Sequence, residues 1–289
     1  MKDYFGYVGK TIVVTGGSNG MGKCAVEMLL DMGAKDITVM DFAPCDVKGV
    51  KFVQVDLSDR KSIDKAFGQL PKTIDKFFGF AGISAARADG EKILAVNMLS
   101  NVYMFDEYLI NRMSKGGAIA LVASTAMFGW LENLEEYRTM VEGDWDKAIR
   151  FHKANEHLYP HREYTISKRG VGYLVKKSCE KFFKEKEVRV NAICPGLTGT
   201  QLKDDFYAPF QGNMEMLSHI MFGPIARDAV VQEMAGAIIF INSDMASFIT
   251  GEELIVDGGL HAMYEVKGMG KEQNILAAPS FTGPKVQVD

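Results

Sequence analysis

The stretch that decides the fold is Thr11-Ile12-Val13-Val14-Thr15-Gly16-Gly17-Ser18-Asn19-Gly20-Met21-Gly22. Its apolar first part predicts a buried strand, and the glycines that follow predict a sharp turn into a helix. The N-terminus of such a helix presents backbone N–H groups and the positive end of its dipole to an anion, an arrangement that fits a pyrophosphate. Glycines also serve a tight connection without any ligand, so this stretch alone leaves both interpretations open.

Apolar runs alternate with amphipathic segments along most of the chain, which is typical of a doubly wound α/β fold. The runs predict strands at 11–15, 37–41, 51–55, 74–80, 118–123, 188–193 and 253–256. Helix-period segments lie near 21–33, 60–68, 92–114, 164–184 and 228–242. Several strands are apolar throughout, as expected where helices cover both faces of a sheet. We expect a single domain with a Rossmann-like, seven-stranded parallel sheet flanked by helices.

Residues 1–267 are predicted to form that domain, followed by a C-terminal tail, 268–289, with little periodicity. Residues 127–163 hold far more chain than a strand-to-helix connection needs, and we interpret them as an insertion that is helical around 133–155. Residues 197–224 form a second long excursion. It is rich in aromatic and methionine side chains, namely Phe206, Tyr207, Phe210, Met214, Met216, Met221 and Phe222.

The composition argues against several classes of partner. The chain has 289 residues and a formal net charge of −4, without the basic footprint that nucleic acid or an anionic membrane requires. We therefore expect a small-molecule substrate. The cysteines and histidines lack metal-ligand spacing, so no metal site is predicted; they are Cys24, Cys45, Cys179, Cys194, His152, His157, His161, His219 and His261. The absence of a signal core and of a membrane-length apolar window favours a cytoplasmic protein.

A second pattern lies far downstream, where Tyr164 precedes Lys168 by four residues. Positions i and i+4 share one face of a helix, so Lys168 can lie near the Tyr164 phenol and favour the phenolate. A phenol tuned in this way donates a proton near neutral pH. On its own the pattern is more often a solvated helix face. Together with the glycine turn, it favours a nucleotide-dependent oxidoreductase.

Asp41 bears on the choice of cofactor. It ends the second predicted strand, 25 residues after Gly16, where a carboxylate accepts hydrogen bonds from both adenosine ribose hydroxyls and repels a 2′-phosphate. Residue 19 is Asn19 and Phe42 follows the aspartate, so no cation offsets that repulsion. These residues predict NAD rather than NADP, the alternative being an aspartate that only caps a strand end.

From about residue 8 to residue 262, the order of motifs resembles the short-chain dehydrogenase/reductase family. Thr15 with the glycine turn, and Val256-Asp257-Gly258-Gly259 near the end, are similar to family landmarks. The resemblance implies four catalytic positions: Asn97, Ser124, Tyr164 and Lys168. It implies cofactor binding by Gly16, Ser18, Asn19, Gly20, Met21, Gly22, Asp41, Asp56, Leu57, Ala81, Gly82, Tyr164, Lys168, Pro195, Gly196, Thr198 and Thr200. The helices near 92–114 and 164–184 resemble the family's interface pair, which implies a homo-oligomer, either a dimer or a tetramer.

Hydride transfer to a ketone builds negative charge on its oxygen, so a hydrogen-bond donor and a proton donor are needed there. The resemblance gives these roles to Ser124 and Tyr164, with Lys168 lowering the pKa of the phenol and contacting the ribose, and Asn97 relaying protons through water. Alone, Asn97 could equally bond its own backbone. The neighbouring Thr125 is a rival for the serine position, although it should point to the opposite side if the strand continues.

Two departures from the family pattern stand out. Gly79-Phe80-Ala81-Gly82 replaces the usual Asn-Asn-Ala-Gly, and Tyr164 follows Ser124 by 40 residues rather than about a dozen. A long insertion at this place resembles the NAD-dependent 3α-hydroxysteroid dehydrogenase and carbonyl reductase subgroup.

The substrate hypothesis depends on apolar side chains that we expect above the nicotinamide, from the 197–224 excursion and from Met127, Phe128 and Trp130. Walls of this kind suit a bulky apolar ring system, and we expect a steroid or bile acid hydroxyl, at position 3. The alternative is that these residues belong to the core or to a subunit interface. Two other functions stay open: a broad-specificity carbonyl or sugar-alcohol reductase, and a non-catalytic scaffold that binds NAD(H).

Overall fold

The computed structural model describes residues 3–84, 86–159, 161–208, 212–213, 215, 220–266 and 285–288. In this part of the chain, seven parallel strands form one sheet in the order β3-β2-β1-β4-β5-β6-β7. They are β1 Thr11–Thr15, β2 Asp36–Asp41, β3 Lys51–Gln54, β4 Ile74–Gly79, β5 Met113–Val122, β6 Arg189–Pro195 and β7 Glu253–Val256. The predicted single-domain fold with a seven-stranded parallel sheet is confirmed.

Two hydrophobic layers cover the sheet, one on each face. Alternation along β1 shows how the sequence builds them, because Val13 packs into one layer and its neighbour Val14 into the other. Helices Gly20–Asp31 and Val231–Asn242 contribute to the Val14 layer, whereas helices Arg60–Phe67 and Glu163–Lys186 contribute to the Val13 layer. Burial on both faces explains why these strands are apolar throughout.

The strand order places the ligand crevice. From β1 the chain winds outward to β3, then returns and crosses to β4 on the other side of β1. The loops after β1 and β4 therefore diverge, and a crevice opens beyond their carboxyl ends. The glycine turn follows β1, and Ala81 and Gly82 follow β4, so both border this crevice.

A long helical run, 90–112, contains two π-helical stretches that the sequence pattern does not predict. Gly90–Leu94, Ser100–Met104 and Ile110–Arg112 are α-helical, and Ala95–Leu99 and Phe105–Leu109 between them are π-helical. Asn97 lies in the first π-helical stretch. Such bulges occur often at functional sites, since they redirect one side chain without ending the helix.

Strand β5 begins earlier than predicted, at Met113 rather than at residue 118. Its first part pairs Met113 with Ile74, and the register then shifts before Ala118 pairs with Lys76. Gly116 has φ 76° within this irregular part. The apolar pattern is interrupted there, which is why the sequence predicts only the regular second half.

Segment 127–163 contains helices Leu134–Glu142 and Trp145–Asn155, in agreement with the predicted helical content around 133–155. Tyr137 and Phe151 are buried in the same hydrophobic layer as helix Glu163–Lys186. Trp145 contacts Tyr103 edge to face on the 90–112 run. The segment therefore covers parts of the two helical surfaces that resemble the family's interface pair.

Two further α-helices, Lys203–Tyr207 and Leu260–Val266, lie near the carboxyl edge of the sheet. Of the predicted apolar cluster in 197–224, Phe210, Met214 and Met216 lie outside the described residues, as does most of the 268–289 tail. None of the helices in the described ranges combines the length and apolarity needed to cross a bilayer.

Candidate active site

A cleft runs along the carboxyl edge of the sheet. It consists of two adjoining cavities of about 380 Å³ and 240 Å³. Both are lined by Met21, Phe80, Gly82, Thr200 and Leu202, so the two cavities form one continuous space. The larger cavity extends toward Asp41, and the smaller one toward Tyr164. We call these the Asp41 end and the Tyr164 end of the cleft.

The turn after β1 leaves room for a ligand because glycines line it. Gly16 has φ 71°, and a Cβ there would lie 2.5 Å from the backbone nitrogen of Ala81. A Cβ on Gly22 would overlap the carbonyl oxygen of Gly16. Both positions thus require glycine for the close approach of turn, helix and β4. The arrangement is the backbone cradle that a pyrophosphate needs.

Asp41 ends β2 at the far end of the cleft. Its carboxylate accepts hydrogen bonds from the backbone N–H groups of Ser18 at 2.9 Å and Ala43 at 3.2 Å. In the part of the chain that the structure describes, no Lys, Arg or His forms an ion pair with it. Ser18 lies beneath the cleft rather than in its lining, because its hydroxyl donates to the Ala43 carbonyl oxygen at 2.8 Å.

Asp56 and Leu57 line the Asp41 end, beside Ala81 and Gly82. Burial acts to raise the pKa of Asp56, but hydrogen bonds from the Ser58 hydroxyl and N–H outweigh it and hold this pKa below its usual value. Asp56 is therefore a fixed anion at neutral pH, with two of its acceptor sites already satisfied at one oxygen. The geometry suits recognition of an adenine amino group by the other oxygen.

Ser124 lies just beyond the end of β5, and its side chain caps a short 3-10 helix, Thr125–Met127. The strand ends at Val122, so strand alternation does not continue to Thr125. Both residues line the Tyr164 end of the cleft. Of the two, Ser124 is the one whose hydroxyl acts on the Tyr164 phenol and lowers its pKa. This contact favours Ser124 over Thr125 as the partner of the tyrosine.

Tyr164 and Lys168 occupy successive turns of helix Glu163–Lys186, and the Lys168 Nζ lies 5.7 Å from the Tyr164 ring centroid. Burial raises the pKa of Tyr164 to about 12, against the effect of its hydrogen bond with Ser124. The expected lowering of this pKa by Lys168 is thus absent in the protein alone. Its physical reason is that the ammonium donates to the Val122 carbonyl oxygen at 2.9 Å, away from the phenol oxygen.

Lys168 itself is 4% exposed, and burial lowers its pKa to about 8. It remains cationic at neutral pH. Cys194 lies close enough to oppose this shift, and burial raises the pKa of that thiol well above its usual value. Lys168 therefore brings a positive charge into a buried part of the cleft.

Asn97 lies behind the lining of the cleft, next to Gly82. Its Oδ1 accepts from the Ile83 N–H at 2.8 Å, and its Nδ2 donates to the Ile83 carbonyl at 3.0 Å and to the Ser167 hydroxyl at 3.1 Å. One amide thus joins the segment after β4 to the Tyr164 helix. The π-helical stretch turns Asn97 toward both.

Leu197 and Thr198 line the Tyr164 end together with Pro195 and Gly196 from the end of β6. Leu202, Phe206 and Met221 of the 197–224 excursion add apolar side chains to the lining of this end. The ring centroids of Phe206 and Tyr164 are 5.3 Å apart, and the two ring planes are inclined at 67°, an edge-to-face contact.

The prediction that Met127, Phe128 and Trp130 also line the substrate site is wrong. Met127 is buried against Cys194, with its sulfur 3.0 Å from the thiol sulfur, and Trp130 packs edge to face on Tyr173. Phe128 stacks on His261 at 3.8 Å. None of the three lines the cleft, because the chain turns into the 3-10 helix directly after Ser124 and carries them down toward the core.

A latch that sequence reasoning missed joins the two banks of the cleft. Asp205 of helix Lys203–Tyr207 accepts hydrogen bonds from the Ser84 hydroxyl at 2.5 Å and from Arg87 Nε at 2.7 Å. Arg87 also donates to the Gln201 carbonyl oxygen at 2.5 Å. Ser84 and Arg87 follow β4, whereas Asp205 follows β6. No sequence spacing predicts this contact, since the partners are more than 110 residues apart.

Fold and cleft together define a dinucleotide-binding α/β protein with a paired phenol and ammonium at one end. A family model described as short chain dehydrogenase matches residues 10–139, and a model described as Enoyl-(Acyl carrier protein) reductase matches residues 148–261. The chain belongs to the short-chain dehydrogenase/reductase family. It is therefore a nicotinamide-dependent oxidoreductase that acts on alcohols or ketones.

Three similar proteins illustrate the range of the family. Coniferyl-alcohol dehydrogenase from a Pseudomonas species is 31% identical over 258 residues, covering 88% of this chain and 98% of that protein. The 3beta-hydroxysteroid dehydrogenase 2 of Eggerthella lenta is 26% identical over 279 residues, covering 88% and 95%. The crystal structure of the 3-alpha-hydroxysteroid dehydrogenase from Pseudomonas sp. B-0831 with NADH has a TM-score of 0.75 at 26% identity, covering 89% and 99%.

Proposed function

We propose that this protein transfers a hydride between NAD and a secondary alcohol or its ketone, and that the physiological substrate is a hydroxysteroid or bile acid with a 3-hydroxyl. The observation that carries the proposal is that Ser124, Tyr164 and Lys168 line the same end of one cleft, with the Lys168 Nζ 5.7 Å from the Tyr164 ring centroid. These groups supply what a carbonyl oxygen needs while it gains or loses charge.

The residues divide the work at the substrate oxygen. Ser124 holds this oxygen by a hydrogen bond, and Tyr164 gives it a proton during reduction or takes its proton during oxidation. Lys168 contributes a buried positive charge that favours the tyrosinate once it turns from the Val122 carbonyl toward the phenol. Asn97 acts as a positioning residue, because its amide holds Ile83 and Ser167 in place. The bound nicotinamide supplies the hydride chemistry.

NAD fits the Asp41 end of the cleft. The carboxylate of Asp41 has acceptor sites left after its two backbone hydrogen bonds, and these suit the two ribose hydroxyls. A 2′-phosphate would meet this carboxylate without a paired cation. Arg87 lines the cleft but is held by Asp205 and the Gln201 carbonyl. The NADH bound to the Pseudomonas 3-alpha-hydroxysteroid dehydrogenase supports the same choice.

The Tyr164 end suits a bulky apolar alcohol. Leu197, Leu202, Phe206 and Met221 form its wall, and the Phe206 ring lies edge-on to the tyrosine that handles the proton. A fused ring system can lie along this wall with one hydroxyl directed at Ser124. The two hydroxysteroid dehydrogenases similar to this chain support the steroid class.

A second candidate substrate is an aromatic allylic alcohol. The 31% identity to coniferyl-alcohol dehydrogenase favours it, and an aryl ring would pack on Phe206. The chemistry at Ser124 and Tyr164 is the same for both classes, so relative turnover separates them.

Single substitutions test the assigned roles. Tyr164→Phe removes the proton-transfer group alone, and we expect kcat to fall by about 10²- to 10⁴-fold. NAD binding, followed by quenching of intrinsic fluorescence, should stay unchanged. Ser124→Ala should cause a loss of similar order in kcat, whereas Thr125→Val should leave turnover nearly intact. If Thr125→Val were the damaging variant of the two, the serine assignment would be wrong.

A further inference from the structure

The last described residues of the chain, Lys285–Val288, lie on segment 127–163. These residues are far in sequence from the two helices they contact, Leu134–Glu142 and Trp145–Asn155. We call the surface that receives them the tail groove. Its polar contacts come from Asn155 and Glu136, and the side chain of Val288 packs against the hydrophobic layer behind them.

The side-chain amide of Asn155 hydrogen-bonds both backbone groups of Val286. Its Oδ1 accepts from the Val286 N–H at 2.7 Å, and its Nδ2 donates to the Val286 carbonyl oxygen at 2.9 Å. The same Nδ2 donates to the Phe151 carbonyl at 2.9 Å, which fixes the amide on its own helix. Asn155 is 0% exposed. Pairing both backbone groups of a residue in this way aligns an extended segment in one register.

Two side chains of the segment add selectivity. Lys285 forms an ion pair with Glu136, whose side chain is only 8% exposed. A carboxylate this deeply buried requires a partner, and losing Lys285 would leave its charge uncompensated. In contrast, the side chains of Val286 and Gln287 are exposed and contribute little to the fit.

We propose that the tail groove is a peptide-binding site whose ligand is the C-terminal segment of the same chain, recognised as a lysine, two residues of free choice and an apolar residue. The link 267–284 has 18 residues and could span up to about 60 Å if fully extended, which gives segment 285–288 a long reach from Val266. This proposal goes beyond the proposed function and does not depend on it. Its consequence is that the chain's own end clamps helices that precede Tyr164.

Hydrogen exchange on the full-length protein tests the proposal. The N–H of Val286 should exchange roughly tenfold more slowly, or slower still, than in a free peptide of residues 279–289. Lys285→Glu and Val288→Ser should each remove most of this protection, and Gln287→Ala is the matched control that should keep it. These three changes lie in the segment, so the folded domain stays intact. Asn155→Ala should also remove the protection.

Two outcomes would overturn the proposal. Exchange of the Val286 N–H at the free-peptide rate in the unmodified protein would mean that the groove does not hold the segment. Protection that disappears on dilution would mean that the segment comes from a second copy of the chain. Protection that is independent of concentration and lost in Lys285→Glu supports binding within one subunit.

Discussion

At the scale of single residues, the dinucleotide cradle depends on the space that a Cβ would need. Gly22 lies in helix Gly20–Asp31, where a side chain would overlap the Gly16 carbonyl. Gly236 lies in helix Val231–Asn242, and a Cβ there would meet nothing within 4 Å. Position 22 therefore requires glycine because the backbone of the turn lies too close for a side chain. Position 236 has room for a side chain and does not require glycine.

We therefore expect opposite effects of the same substitution. Gly22→Ala should lower the free energy of unfolding by about 1–3 kcal/mol, because turn and helix must separate. It should also weaken NAD binding strongly. Gly236→Ala should raise the free energy of unfolding by about 0.5–1 kcal/mol by restricting the unfolded chain, and should leave NAD binding unchanged. Urea denaturation and fluorescence titration check both; equal effects of the two variants would contradict the account.

The sequence is informative at this scale where spacing carries chemistry. Tyr164 and Lys168 are predicted because four residues span one helical turn, and Asp41 because it ends a strand beside the glycine turn. The pKa values could not be predicted, since the Lys168 contact with the Val122 carbonyl and the burial of Tyr164 arise only from tertiary packing. The clamp of Asn97 on Ile83 depends on a π-helical stretch that no apolar periodicity indicates.

At the scale of elements, helix Lys203–Tyr207 is held over the cleft by the latch of Asp205 with Ser84 and Arg87. The helix has only five residues and contains none that is fully buried, so its own packing cannot fix it. Phe206 follows the latch residue directly and is the ring that meets Tyr164. The latch therefore holds the apolar wall toward the cleft, together with the contacts that Lys203 and Tyr207 of the same helix make with Asp228.

Asp205→Asn should raise KM for a bulky substrate by about tenfold, since charge-assisted hydrogen bonds of roughly 1.5 kcal/mol are lost. The affinity for NAD should change little. The exposed neighbour Asp204 offers a matched control, and Asp204→Asn should leave KM unchanged. Steady-state kinetics on both variants decides the matter; an unaltered KM in Asp205→Asn would show that the latch does not control substrate binding.

His152 is buried in segment 127–163, near the first residues of helices Gly90–Leu94 and Glu163–Lys186. Its Nδ1 pairs with the Tyr159 hydroxyl at 2.9 Å, and its Nε2 lies 3.5 Å from Glu156. Glu91, Lys153 and Glu163 also act on it electrostatically. Burial lowers its pKa below the ordinary 6.5 in spite of these carboxylates. The folded protein therefore binds fewer protons at this site than the unfolded chain does, and stability should fall as the pH drops below about 6.5.

His152→Gln should flatten this acid slope by up to about 1.4 kcal/mol per pH unit, because the titrating group is gone. The exposed His157 is the control, and His157→Gln should keep the slope of the unmodified protein. Urea denaturation between pH 5 and pH 7.5 measures both slopes. A steeper or equal slope in His152→Gln would contradict the burial argument.

At the scale of the whole molecule, a doubly wound sheet brings distant segments to one edge. The loops after β1, β2, β3, β4, β5 and β6 all contribute to the cleft. The seven-stranded parallel sheet and the role of the glycine turn follow from the sequence, because buried parallel strands and glycine turns leave few alternatives. The path of segment 127–163 cannot be predicted from the sequence. The sequence predicts Met127, Phe128 and Trp130 in the substrate wall, yet a 3-10 turn after Ser124 directs them elsewhere.

The central claim is that this cleft oxidises a bulky secondary alcohol with NAD. The most direct test is the appearance of NADH, followed by near-ultraviolet absorbance, with 3α-, 3β-, 7- and 17-hydroxysteroids, coniferyl alcohol, short secondary alcohols and polyols as substrates, and with NADP in parallel. The account predicts rapid, position-selective oxidation of a 3-hydroxysteroid with NAD and far slower oxidation with NADP. Preference for small hydrophilic alcohols, or for NADP, would contradict it.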